Sequence, residues 1–461
     1  MRFDQLAAMT GGTLMSAERA ERQFVGVSID SRTLSPGSLF VALRGQTTDG
    51  HQYVQQAIEK GAAGVLSELS WPHIDAFSNK TAVVAVKDSH EAMMLLAERY
   101  RDTSRARFVG ITGSNGKTTT KELTYRLVGE VEKQVYRSPG NFNNLYGMPL
   151  AIFAMPEETK VAVMEMGISV PGEMTRLSRM VKPDVICITN VGPSHLQFLK
   201  SVEGVAQAKL EMVKASPANT PVIVNADDAV LMTETSRLRE KVITFGITND
   251  ASYKPSSVTT DANGVTIVEI EDRRFRLPLF GRHHVYNLLA AYAITRTLGY
   301  DLSATDTEAL ALSTAPMRGE VLVIGGATII ADCYNANPDS VRSALKSFGE
   351  LPDGRRRVIM IGDMLELGDS EEKYHREIGE LAAAMTFDQL VLVGPLCRIT
   401  YDTVLSARIP ANRVTYYEDA ASCAANVEKH LEAGTLALIK GSRGIGLEKI
   451  ITAWKTLKGE A

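Results

Sequence analysis

At 461 residues the chain has room for about three domains of roughly 100 to 200 residues each, which excludes a single small module. Lys+Arg 50 against Asp+Glu 54 leaves a net charge of −4, so no overall basic field favours a nucleic acid backbone, and no nucleic acid partner is expected. Hydrophobic residues at 44% and charged residues at 23% are enough to pack real cores, and no apolar run approaches the roughly 18 residues of a membrane span, so no membrane insertion is expected. The four cysteines, Cys187, Cys333, Cys397 and Cys423, lie far apart without CxxC pairing, and Met1-Arg-Phe-Asp4 opens no apolar leader. A soluble protein of a reducing cytoplasm is expected.

In chain order, residues 1–84 read as a small mixed α/β domain, with short β-rich runs at 24–29, 38–43 and 81–86 around a helix near 53–60. A helix from about Ser89 to Arg101 leads into a central domain, 85–314, whose strands are expected at 107–112, 161–166, 185–189 and 222–225, with a helix at 202–215. Strands alternating with helices imply a parallel sheet. Between about 250 and 280 the pattern switches to period two, predicting an antiparallel insertion around Asp272-Arg273. A helix at 287–298 and a turn near Ala315-Pro316 close that domain. A Rossmann-like third domain, 315–461, follows, with strands at 328–331, 357–361, 389–393 and 437–440 and helices near 371–385, 419–432 and 445–455. The fold class expected is therefore α/β in three domains, with a central parallel-sheet phosphate-loop ATPase domain.

The strongest chemical signal is Gly110-Ile-Thr112-Gly113-Ser114-Asn115-Gly116-Lys117-Thr118-Thr119, placed after a strand and before a helix. Glycines allow a tight turn that aims backbone N–H groups at phosphate oxygens, and the helix N-terminus adds partial positive charge. Lys117 would hold the β and γ phosphates of ATP, and the Thr118 hydroxyl would bind Mg²⁺. The spacing departs from GxxxxGK[ST], whose first glycine would fall on Ile111; here it is GxxGxxGKT.

A phosphate loop alone does not choose a reaction. Two further strands end in Glu165 and in Asn190-Val-Gly-Pro-Ser-His195, and in a parallel sheet those ends open beside the loop. Glu165 would coordinate or orient a metal, and neutral His195 would serve a second one. Singly, each reads equally as a polar strand end. Lys209, on the following helix, reads by itself as a solvated lysine.

Together with Ala208-Lys209, Gly281-Arg-His283-His284-Val-Tyr-Asn287, Met317-Arg318-Gly319 and Asp332-Cys-Tyr-Asn335-Ala-Asn337-Pro338, these segments resemble the ATP-dependent Mur ligases of peptidoglycan synthesis over essentially the whole chain. Folylpolyglutamate synthetase is a relative and the nearest rival. A phosphate-loop nucleotide switch is the reading of a different class, which a second metal site at Glu165 and His195 disfavours. Asn141-Phe-Asn143-Asn144 and Gly362-Asp-Met-Leu-Glu-Leu-Gly368 resemble the members that add D-alanyl-D-alanine to UDP-N-acetylmuramoyl tripeptide. The Asp-Asn-Pro-Arg motif of the members that add diaminopimelate or lysine is not found.

The resemblance implies phosphorylation of the tripeptide's terminal carboxylate by ATP and attack of the dipeptide amine on the acyl phosphate. It implies Lys117, Glu165, His195, Lys209 and Arg318 as the catalytic set, with Thr118, Glu165, His195 and Lys209 at metal, Lys209 as a carbamate. For the nucleotide it implies the loop residues 112–119 with His284, Asn287, Arg318, Asp332 and Asn335; at His284 the family usually has Asn. Ser31 and Arg32, the Gln46, Thr47 and Thr48 loop, and Asn141, Asn143 and Asn144 are implied for the UDP-muramoyl substrate. The third domain is expected to supply the dipeptide pocket and to swing in over ATP. Lys440-Gly-Ser-Arg443-Gly444 fits either an anion site or a solvated cap. A monomer is expected.

Overall fold

The computed structural model describes residues 1–45, 47–239, 241–260, 265–310, 312, 317–351 and 354–460. Gln46, the Ala315-Pro316 turn and the expected 314/315 boundary lie outside the described residues.

The first domain is a five-stranded sheet in the order Thr13–Leu14, Ala82–Val86, Gly64–Glu68, Leu39–Val41, Val27–Ser28, with only the first strand antiparallel. Its strands are shorter than the β-rich sequence suggests: of 24–29 only Val27–Ser28 pairs. The strand Ala82–Val86 crosses the expected 84/85 cut, so the domain extends through Val86. The helix Ser89–Thr103 starts from the Asp88 side chain, which accepts from the N–H groups of His90 and Glu91 and satisfies two of its orphan donors. It packs on Phe3–Thr10 in the first domain and on Gly147–Phe153 and Glu173–Val181 in the second, joining the two.

The central sheet is fully parallel, ordered Ile243–Phe245, Val222–Asn225, Val185–Ile188, Arg107–Thr112, Val161–Glu165, Val135–Arg137. Because its strands are apolar on both faces, helices must cover both. Val109 and Ile111 face the helices Lys117–Val131 and His283–Thr297, whereas Phe108 faces Gly147–Phe153, Glu173–Val181 and Val202–Lys214. The phosphate-loop strand is thus central, with the strands that end at Glu165 and near His195 on either side. The antiparallel insertion is present as Pro255–Thr260, Thr266–Ile270 and Arg273–Leu277. The helix expected at 287–298 starts four residues earlier, at His283, which puts His284 and Asn287 on its first turns.

The third domain is a six-stranded sheet, Glu320–Ile324, Ala327–Asp332, Thr435–Lys440, Arg356–Gly362, Gln389–Val393, Val414–Tyr417, parallel except for its first pair. The helix expected at 419–432 is instead a short helix, Ala420–Ala424, followed by a 3-10 turn, Val427–Lys429. This domain is docked on the phosphate loop: Asn337 Nδ2 donates to Asn115 Oδ1 at 2.7 Å. No swing is therefore needed to bring Arg318 and Asp332 to the loop, and the expected hinge motion finds no support in this arrangement.

Candidate active site

The loop is built by two glycines that no other residue could replace. Gly113 (φ +151°) and Gly116 (φ +80°) have left-handed backbones, and a Cβ would sit 1.8 Å from Thr189 Oγ1 at the first and 2.1 Å from Asn287 Oδ1 at the second. The neighbouring strand end holds the turn. Asn190 accepts from Ser114 N through its carbonyl at 3.0 Å and from Asn115 N through its side chain at 2.9 Å. Lys117 Nζ folds back to donate to the Gly113 carbonyl at 2.7 Å. Burial lowers its pKa, with Glu165 opposing and the Arg318 guanidinium adding to the shift.

Glu165 is 3% exposed. Its Oε1 accepts from Asn143 Nδ2 at 2.8 Å, while Oε2 has no hydrogen-bond partner and lies 3.5 Å from Lys121 Nζ. Lys121 is one helical turn beyond Lys117 and fully buried, and its ammonium donates to the carbonyls of Ser138 and Gly140 at 3.0 Å each. Asn143 thereby ties the Asn141–Asn144 loop to Glu165, and Lys121 holds the Ser138–Gly140 stretch that leads into it. A buried carboxylate oxygen without a hydrogen bond, in the same cavity as the Thr118 hydroxyl, is a hard oxygen set that fits Mg²⁺.

His195 caps the short helix Leu196–Leu199, beyond the strand Val185–Ile188, in a left-handed backbone (φ +51°), and its Nδ1 lies 3.1 Å from Glu366 Oε2 of the third domain. That hydrogen bond holds the Glu366 carboxyl below its ordinary value. Lys209 is buried and does not line the cavity; no hydrogen bond or ion pair reaches it among the described residues. Burial, with Lys117 adding, pushes its pKa well down, favouring a neutral amine.

On the nucleotide side, His284 is buried beside the Gly319 turn, with Nε2 unpartnered. Burial first, then His283, Arg318 and Lys440, push its pKa well down. Asn287 Oδ1 accepts from Thr120 Oγ1 at 3.4 Å. Arg318 stacks 4.1 Å from the Tyr334 ring centre, with its Nε buried and unpartnered, and Arg443 lies 5.5 Å from the same ring. Asp332 pairs with the buried Lys440 at 3.1 Å, and Lys440 also donates to the Asn335 carbonyl at 2.8 Å. Lys440 thus anchors the Asp332–Asn335 turn, and both Lys440 and Arg443 line the cavity.

These groups surround one cavity of about 650 Å³, which takes in Ser114 to Thr119, the three asparagines, Glu165, His195, His284, Asn287, Arg318, Asp332 and Asn335. A second cavity of about 820 Å³ lies between Val25–Asp30, Ser35 and Ser38 of the first domain and the helix Gly147–Phe153; the two meet at Asn141, Asn144 and Tyr146. The structure does not bring Ser31, Arg32, Thr47 or Thr48 to its wall. Ser31 Oγ donates to Gln56 at 2.7 Å, Arg32 folds back on Asp30 and lowers that carboxyl to about 2, and both threonines face solvent. Asn144 is partly spent on its own backbone, its Oδ1 accepting from Tyr146 N and Gly147 N. Sequence reasoning missed Lys121, Tyr334, Asn337 and Glu366. The first had a signal, four residues after Lys117 on one helix face, and Glu366 lay inside a segment already singled out.

Three family descriptions match in succession: "Mur ligase family, catalytic domain" over residues 23–101, "Mur ligase middle domain" over 111–295 and "Mur ligase, glutamate ligase domain" over 317–443. A Bacillus subtilis protein named UDP-N-acetylmuramoyl-tripeptide–D-alanyl-D-alanine ligase is 36% identical over 447 residues, covering 97% of this chain and 96% of its own length. Among solved structures, MurF from Acinetobacter baumannii superposes with a TM-score of 0.87 at 26% identity, covering 99% of this chain and 98% of the other. MurF ligase from Thermotoga maritima in complex with ADP gives 0.81 at 27% identity, covering 94% and 97%.

Proposed function

The chain belongs to the Mur ligase family, and we propose from its cavity and its relatives that it is the ATP-dependent, ADP-forming ligase joining D-alanyl-D-alanine to the carboxylate of UDP-N-acetylmuramoyl tripeptide in peptidoglycan synthesis. The observation that carries the reading is Glu165 Oε2, which has Lys121 as a countercharge but no hydrogen-bond partner, buried in the cavity that the phosphate loop lines and that runs on, at Asn141 and Tyr146, into the cleft against the first domain. An acid substrate held in that cleft reaches the γ phosphate end first.

The reaction forms a bond between a carboxylate oxygen and the γ phosphorus and breaks the bond to ADP. The amine nitrogen then attacks the acyl carbon, phosphate leaves, and the nitrogen loses a proton. The obstacle is charge: two like unit charges 4 Å apart repel by about 4 kcal/mol at an effective dielectric near 20. Mg²⁺, when bound at Thr118 and Glu165 with a second ion at His195, supplies positive charge at the transferred phosphoryl group. The chain's own residues add to it. Lys117 leaves the Gly113 carbonyl for the β and γ phosphates, and Arg318, flattened on Tyr334, offers its free Nε to the triphosphate. The buried His284 and Asn287 contact the nucleotide without adding charge. Asn143 fixes the Glu165 carboxylate while leaving Oε2 free.

Lys209 acts as a carbamate, because its buried, deprotonated amine is the form that takes up CO₂ and would turn a repelling cation into an oxygen donor. The alanine variant should lose activity, and bicarbonate should not alter what remains. Asn141 and Asn144 hold the muramoyl side by neutral hydrogen bonds, and Ser31, Arg32, Gln46, Thr47 and Thr48 are proposed as contacts for the UDP group. The domains are 1–86, 87 to about 314 and about 315 to 461. No described helix is long and apolar enough to cross a membrane, which is compatible with a monomer working in the cytoplasm.

The test is phosphate release from ATP with UDP-N-acetylmuramoyl tripeptide, with and without D-alanyl-D-alanine. Release that requires both substrates is expected. Release with a folate and glutamate instead, or release indifferent to any amine, would overturn the reading.

A further inference from the structure

The segment Asp363–Gly368 has no role in the reading above, yet the backbone of its first three residues is secured at every step. Asp363 N donates to Val393 O, Met364 N to His375 Nε2 at 3.1 Å and Leu365 N to Ser442 Oγ at 3.0 Å, while the Asp363 carbonyl accepts from Ser442 N. The Asp363 carboxylate accepts from Cys397 N at 2.7 Å, and His375 Nδ1 donates to the Glu371 carbonyl at 2.8 Å. Asp363, His375 and Cys397 place ligand-type atoms within 4.8 Å of one another, but both nitrogens of His375 are already spent. The trio is a scaffold for the loop, not a metal site.

What the scaffold presents is Glu366. Met364 and Leu367 on either side are buried, whereas the Glu366 side chain is 70% exposed and its backbone is left-handed (φ +65°). Gly368 brings the segment against the Gln197 backbone, two residues after His195, where a Cβ would meet Gln197 Cα at 3.3 Å. Glu366 and His195 therefore face each other across the domain junction at 3.1 Å, both in a conformation that non-glycine residues adopt at a cost. A carboxylate–imidazole contact this exposed adds little stability. Its use lies in orientation: a carboxylate on Nδ1 fixes the ring and its tautomer and leaves Nε2, which no protein group engages among the described residues, as the free nitrogen.

We infer that Glu366 is the positioning residue for His195, so that the third domain, proposed to receive the amine substrate, completes the second-ion site. The inference rests on the reading of His195 as a metal ligand, and the experiment separates the two. Full-length protein with a non-hydrolysable ATP analogue is titrated with Mn²⁺, and bound ions are counted by electron paramagnetic resonance. The parent should bind two ions and His195→Ala one. Glu366→Ala should keep the first ion and bind the second about 10- to 100-fold more weakly. Its kcat should fall in parallel, with KM for the dipeptide within about twofold of the parent. Glu366→Gln, whose amide oxygen still accepts from Nδ1–H, should recover most of both. A parental second-ion affinity in Glu366→Ala overturns the inference whatever happens to kcat, as does a raised dipeptide KM with normal ion binding, which would put Glu366 on the substrate. Two ions bound by His195→Ala would remove the underlying reading instead, and the inference with it.

Discussion

Replacing Lys121 by methionine tests how the central site is held. The apolar stem keeps its length and packing, so the change isolates the ammonium. That group is fully buried and donates to Ser138 O and Gly140 O, each at 3.0 Å, with Glu165 Oε2 and Glu122 Oε1 both 3.5 Å away. Removing it leaves the Ser138 carbonyl, which is buried, without its donor, at about 1–3 kcal/mol. It also strips Glu165 of its nearest countercharge, and breaking a buried pair by deleting one partner costs about 3–5 kcal/mol. Gly140 O reaches solvent and recovers part of its loss by hydration. A destabilisation of about 4–8 kcal/mol is expected from these terms, which for a domain of roughly 200 residues lowers its melting midpoint by roughly 10–30 °C. The two tryptophans, Trp71 and Trp454, lie outside the central domain, so far-UV dichroism should report the early loss while tryptophan fluorescence follows the flanking domains. A midpoint lowered by less than about 2 °C in both signals would refute the argument, because the ammonium would then not be what holds the Ser138–Gly140 stretch beside Glu165.

Asn143→Ala should leave the fold intact but free the Glu165 carboxylate to rotate, lowering kcat about 10- to 100-fold in steady-state assays. Gly116→Ala should abolish ATP binding by calorimetry, since its Cβ would overlap Asn287 Oδ1 at 2.1 Å on a φ of +80°. Burial, with Arg356 and Lys429 adding, lowers His430 to about 4, so between about 6.5 and 4 the unfolded chain binds the extra proton and stability falls as pH falls through that window. Denaturant titrations of His430→Gln should show a flatter acid limb, and an unchanged slope would count against the assignment.

The sheets were legible where strands are long and apolar. Gln389–Val393 appears with the expected bounds and Arg107–Thr112 likewise, because Val, Ile and Leu buried on both faces admit few alternatives. The helix Pro338–Gly349 went unread: Asn337-Pro338 was taken only as part of a motif, although Asn337 caps the helix and Pro338 sits at its first position. Cys397–Ser406, rich in β-branched and aromatic residues, forms a helix because tertiary packing overrides propensity. Within the site, Glu165, His195, Asn287 and Arg318 were found from motifs and do share a cavity. What sequence could not show is contact at long range. Asn337 reaches Asn115 from 222 positions away, and Glu366 meets His195 from another domain. The outer residues lie off the cavity wall for a related reason, since Ser31 and Arg32 have partners in their own domain.

The asparagine loop forms one wall of both cavities and is bolted to Glu165 through Asn143. A small molecule wedged into the outer cleft, bearing no likeness to a nucleotide, would pull on that wall and drag the carboxylate off its mark. Inhibitors could thus silence phosphoryl transfer without ever competing with ATP, and the apolar helix surface behind Leu150 and Phe153 is where such chemistry would find its grip.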